Sequence, residues 1–148
     1  MSLPMKEHKK PLFFVDTNIF LRIFVKEDEK TYKDCLNFLK LVSAKKIKAY
    51  ISTIVIMEIN FVLTSFYKFQ KENTAQALRS IISTPGLKII DDLDISHALE
   101  LYTNSNIKFM DCLIASSSLL QKNKACIITY DKDFEKLPVI TKQPGEII

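Results

Sequence analysis

The chain has 148 residues, 47% of them hydrophobic and 26% charged, with only two glycines and a net charge of +4. That balance fits one domain with a sizeable core and excludes both a disordered tail and a loop-rich disulfide scaffold. No apolar run approaches the ~20 residues that a bilayer span needs, and MSLPMKEHKK carries no apolar signal segment, so a cytoplasmic protein without membrane contact is expected.

Residues 1–10 read as a polar leader, compatible in part with an expression remnant that would make Met5 the natural start. The domain is expected over 11–148. Leu12 to Val15 is a short apolar run with the character of a buried strand, stopped by Asp16. Helical spacing follows over 18–25 and 29–44, then a strand-like run from Ile47 to Ser52. A strongly apolar helix is expected over 53–70 and another over 74–83, with Asn73 as its N-cap and Pro85-Gly86 as the stop. Leu87 to Ile90 reads as a strand, 95–105 as a helix capped by Asp94, 109–122 as a helix and Ala125 to Thr129 as a strand. Val139 and Ile140 add a short last strand. Strands alternating with helices imply an α/β fold, a central mostly parallel sheet flanked by helices.

Cys35, Cys112 and Cys126 are scattered and lack Cys-x-x-Cys spacing, as reduced core thiols do. His8 and His97 read as solvated and supply no metal cluster. The positive excess comes from nineteen lysines and two arginines, Arg22 and Arg79, spread too diffusely to demand a polyanionic partner.

The acids carry the chemical signal. In FFVDTN, Asp16 is either a cap for the next helix or a site residue, and the carboxyl end of a strand in an open parallel sheet is where ligands bind. In ACIITYDKDF, Asp131 and Asp133 follow another such strand, although Asp131 also suits a turn cap and Asp133 a solvated position. Glu58 shares a helix face with Val55 and Val62 in a segment apolar nearly all round. Burial is therefore expected, and a buried charge must pair with Lys or Arg or hold a metal. Asp111 opens a helix, where the helix dipole alone would favour it.

Bringing four carboxylates together without cations raises pKa values or forces the site apart, and a hard divalent metal resolves the conflict. Oxygen-only donors suit Mg²⁺ or Mn²⁺ better than zinc. Such a metal would acidify bound water and neutralise charge on a phosphodiester. A Ser-His-Asp arrangement, a nucleophile elbow and a Gly-rich phosphate loop are all missing from the sequence, which argues against covalent catalysis and NTP-driven transfer.

V-D-T-N at 15–18, M-E-I-N at 57–60, M-D-C-L-I-A at 110–115 and I-T-Y-D-K-D-F at 128–134 resemble, in order, the acidic motifs of PIN-domain ribonucleases. The resemblance runs over 11–141 and is greatest to VapC-like toxins of toxin–antitoxin pairs. It implies a Mg²⁺- or Mn²⁺-dependent endoribonuclease that leaves 5′-phosphate and 3′-hydroxyl ends. Asp16, Glu58, Asp111 and Asp131 match the catalytic and metal-binding quartet, with Asp133 sharing or replacing the fourth role. Thr17, Asn18 and Thr129 match polar positions that orient water or phosphate. The implied partners are RNA, a small antitoxin and a second copy in a homodimer. An RNA-processing nuclease and a non-catalytic module of the same fold are the alternatives.

Overall fold

The computed structural model describes residues 10–147, so the expected leader lies almost wholly outside the described residues. Five strands form one sheet, β1 (Leu12–Val15), β2 (Lys48–Ile51), β3 (Leu87–Ile89), β4 (Cys126–Ile128) and β5 (Thr141–Lys142). Their order is β3-β2-β1-β4-β5, and every pairing is parallel. Parallel neighbours need crossovers, and the helices supply them: α1 (Thr17–Phe24), α2 (Glu29–Ser43), α3 (Thr53–Phe61), α4 (Lys71–Ile82), α5 (Ile95–Thr103), α6 (Phe109–Ala115) and α7 (Ser118–Gln121). The central strands β1, β2 and β4 are apolar on both faces, and Phe14, Tyr50 and Ile127 are fully buried between the helix layers. None of the described helices is long and apolar enough to cross a membrane.

Several elements differ from the sequence expectation for local reasons. The helix expected over 109–122 breaks at Ser116 and Ser117. Ser116 Oγ bonds back to the Leu113 carbonyl at 2.6 Å, while the Asp92 carboxylate receives Ser117 Oγ at 2.9 Å and the Leu119 amide at 3.0 Å. These side chains offer the backbone an alternative to continuing the helix. The helix expected over 53–70 stops at Phe61 and passes into a wider π-type turn, Val62–Phe66, ending at Lys68 with φ 59. Asn73 is not a cap, because α4 already begins at Lys71 behind Gln70. The last strand sits at Thr141–Lys142, two residues beyond Val139 and Ile140. Asp94 caps α5 as expected, accepting the His97 amide at 3.1 Å. His97 itself is half-buried, and its Nε2 lacks a hydrogen-bond partner.

Gly86 ends the α4 crossover with φ +79, and a Cβ there would meet the Val42 carbonyl oxygen at 2.3 Å. Both the left-handed backbone and the close approach to α2 require glycine. Cys35, Cys112 and Cys126 are free thiols, the first two buried.

Candidate metal centre

The site grows from the sheet register. Val15 of β1 pairs with Ile128 of β4, so the residues that leave the two strands, Asp16 and Thr129, emerge side by side. The order of the sheet reverses between these strands, and the carboxyl ends at such a switch point form the usual crevice of an open α/β sheet. The Asp16 amide bonds the Ile128 carbonyl at 3.0 Å, fixing the junction.

Asp16 caps α1 and also ties it to the end of β4. Its Oδ1 accepts the Thr17 amide at 2.8 Å at the start of α1, and its Oδ2 accepts the Thr129 hydroxyl at 2.7 Å. Only 6% of the residue is exposed. Burial pushes its carboxyl from the ordinary 3.8 up to about 6; the charges of Glu58 and Asp131 add to the rise, and the two hydrogen bonds oppose it.

Thr129 also accepts the Asp131 amide at 2.9 Å, and Asp131 Oδ1 accepts the Asp133 amide at 2.9 Å. The Asp-x-Asp run therefore does cap the turn Lys132–Lys136, as one reading of the sequence held, and it also faces Asp111. One carboxylate oxygen from each of Asp111, Asp131 and Asp133 lies within 4.8 Å of the others. Asp16 and Glu58 stand outside this tight group.

Asp111 reaches it from the first turn of α6 and is 4% exposed. Burial raises its carboxyl to about 7; Lys108, whose Nζ lies 3.8 Å from Oδ2, works against this, and the charges of Asp131 and Asp16 add to it. The same Oδ2 is buried without a hydrogen-bond partner. A buried carboxylate grouped with two further carboxylates, with one oxygen lacking a hydrogen bond and only a distant ammonium beside it, is costly unless a cation completes it. The donors are oxygens alone, since neither His nor Cys belongs to the cluster. They fit a hard divalent ion such as Mg²⁺ or Mn²⁺.

Glu58 departs from the expected burial. The core face of α3 carries Val55 and Ile59, and the opposite face leaves Met57 and Phe61 each 65% exposed, so the helix is half-embedded despite being apolar nearly all round. Glu58 lies at the boundary, half-buried, with Thr17 Oγ1 donating to its Oε2 at 3.2 Å and no Lys or Arg partner among the described residues. Thr17 and Thr129 are buried and engaged with the acids, whereas Asn18 is exposed and lines a groove beside Glu58.

Sequence reasoning passed over Asp91 and Asp92. Asp91 accepts the Thr53 amide at 2.7 Å, Thr53 Oγ1 at 2.6 Å and Ser52 Oγ at 2.8 Å, which anchors the start of α3. Asp92 anchors the start of α7 through Ser117 and Leu119. Two acids after an apolar strand were the available signal, the same one that marked Asp131 and Asp133.

Comparison with known proteins gives a consistent picture. The chain is similar to the VapC ribonuclease of Aquifex aeolicus strain VF5, 25% identical over 132 residues that cover 89% of this chain and 96% of that one. It also resembles the solved VapBC2 of Rickettsia felis bound to a DNA fragment from their promoter, at TM-score 0.67 and 25% identity, covering 89% of this chain and 98% of the other. Mycobacterium tuberculosis VapC20, described as a sarcin-ricin loop cleaving toxin, shares the fold at TM-score 0.67 and 17% identity, over 89% and 99% of the two chains. The PIN domain family matches residues 13–140, from the first strand to the approach to the last. That span takes in every acid gathered at the ends of β1 and β4, and the chain belongs to the PIN domain family.

Proposed function

We propose that this protein is a Mg²⁺- or Mn²⁺-dependent endoribonuclease acting as the toxin of a toxin–antitoxin pair in the cytoplasm, with the catalytic domain spanning 11–148. The observation that carries the reading is the buried carboxylate of Asp111, which groups with those of Asp131 and Asp133 and leaves Oδ2 without a hydrogen bond. The likeness to a VapC ribonuclease and to VapBC2 supports the substrate class and the antitoxin partner. Exposed apolar side chains on α3 and α5, among them Met57, Phe61, Ile95 and Leu99, are consistent with an antitoxin surface and a homodimer.

Asp111, Asp131 and Asp133 hold the metal. When bound it supplies Lewis-acid polarisation of the scissile phosphate and acidifies water. Asp16, locked by Thr17 and Thr129, keeps a fourth carboxylate beside the trio and orients the reacting water. Glu58, more open and fixed by Thr17, stands at the rim where it accepts a proton. Thr17 and Thr129 act through the acids they orient, and Asn18 is the member of the polar set placed to touch RNA.

Calorimetric titration with Mn²⁺, alongside cleavage of a mixed RNA pool by the same sample, tests the reading. Saturable binding with Mn²⁺-dependent cleavage, and growth arrest when the protein is induced alone, are the expected results. Absence of metal binding and cleavage would return the acids to caps and turns. Thr129→Val separates the scaffold from the ligands. It removes the partner of the Asp131 amide and one partner of Asp16, so Mn²⁺ affinity should fall about 10–100-fold and stability by about 1–3 kcal/mol in a urea melt.

A further inference from the structure

A groove of about 210 Å³ opens beside the acids, between α1, α3 and the π-type turn, and Asn18, Arg22, Glu27, Glu58, Phe66 and Tyr67 line it. The proposed chemistry uses only Glu58 and Asn18 of these. Arg22 is one of two arginines in the chain, and among the described residues it joins no ion pair. Its guanidinium lies 5.7 Å from the ring centroid of Tyr130, the residue between Thr129 and Asp131. The stack ties the groove's cation to the strand end that carries the acids. Across the groove, Phe66 is 73% exposed and packs edge-on against Tyr67 at 4.9 Å. The Tyr67 hydroxyl donates to Glu27 Oε1 at 2.7 Å, which fixes a carboxylate acceptor on the same wall.

We propose that this groove seats one unstacked base of single-stranded RNA next to the scissile phosphate, with the exposed face of Phe66, buttressed edge-on by Tyr67, as the stacking surface and Arg22, Asn18 and Glu27 reading the base edge. The inference rests on the ribonuclease reading and names how its substrate is held. An aromatic platform beside a planar guanidinium, an amide and a fixed carboxylate matches the chemistry of a base, which has a π-face and both donors and acceptors on its edge. The volume falls below the about 300 Å³ at which drug-sized pockets begin, and suits a single ring system more than a chain segment. The groove is continuous with the acids through Glu58, so a base held there places its neighbouring phosphate towards them.

Fluorescence anisotropy of a labelled mixed-sequence RNA decamer, in Ca²⁺ to hold cleavage back, tests the groove on wild type, Phe66→Ala, Arg22→Ala and Arg22→Lys. Phe66→Ala and Arg22→Ala should each weaken binding about 10-fold, and Arg22→Lys should recover little because an ammonium lacks the planar donor fork that pairs with a base edge. Mn²⁺ affinity should stay at the wild-type value, and a duplex RNA of equal length should bind equally to all four proteins. Unchanged decamer binding in the variants overturns the proposal, as does a loss confined to binding of a co-expressed protein partner. If wild type binds no RNA, the groove and the ribonuclease reading fall together; if RNA binds through these residues but is never cut with Mn²⁺, the ribonuclease reading alone falls.

Discussion

Asp111→Asn is expected to lower Mn²⁺-dependent RNA cleavage by about 1,000-fold or more, the loss of roughly 4 kcal/mol of transition-state stabilisation, while making the metal-free protein harder to unfold. Both effects come from one carboxylate. In the metal-free fold, Asp111 is buried beside Asp131 and Asp133 with Oδ2 lacking a hydrogen bond, and its carboxyl is held up at about 7. Asparagine is isosteric, removes the charge and offers an N–H that Asp131 can accept. At pH 8 carrying the charge in a site that holds the carboxyl at about 7 costs on the order of 4 kcal/mol, and burying the amide in its place offsets roughly 1 of that, so the relief is on the order of 3 kcal/mol. For a chain of this size that corresponds to a rise in Tm of about 5–10 °C. Among the described residues the ion pair lost is to Lys108 at 3.8 Å, whose side chain is 60% exposed, so that loss offsets little. A thermal melt in EDTA checks the stability, and cleavage of an RNA pool checks the activity. A variant that melted well below wild type would make Asp111 a structural residue.

Stability of the metal-free protein should fall as pH rises from about 4 to about 7.5, and Mn²⁺ should reverse that fall. The sign follows from the direction of the two shifts. Asp16 and Asp111 are raised from 3.8 to about 6 and about 7, so between those values the folded state binds more protons than the unfolded one. Stability then decreases with pH, the loss beginning near the unfolded pKa and completing once pH passes the folded values. Two paired surface carboxylates would behave in the opposite way. Mn²⁺ binds the ionised forms, so its stabilisation should be several degrees larger at pH 8 than at pH 5. Melts across pH with and without Mn²⁺ read the crossover. A metal-free Tm that climbs steadily from pH 4 to 8 would contradict the burial of these acids.

The order and type of most elements are legible in the sequence. The apolar runs at Leu12–Val15 and from Ala125 to Thr129, the stop at Pro85-Gly86 and the cap at Asp94 are local signals, set by a few neighbouring residues. The burial of Glu58 was misjudged because an apolar composition all round α3 does not say which side meets the core. Met57 and Phe61 remain exposed where the sheet ends. The break at Ser116 and Ser117 was hidden because its cause, the Asp92 carboxylate, arrives from a distant loop.

By itself the sequence determined the α/β alternation, the family motifs and the candidate acids, because periodicity and strand-end charge are read within short windows. The tertiary structure alone decided which acids meet. The register of β1 on β4 brings Asp16 to Thr129, and the seat of α6 carries Asp111 to Asp131 and Asp133, leaving Glu58 at the rim. A separation of a few ångströms between residues far apart in the chain is fixed by how layers pack, and that information resides in no single segment.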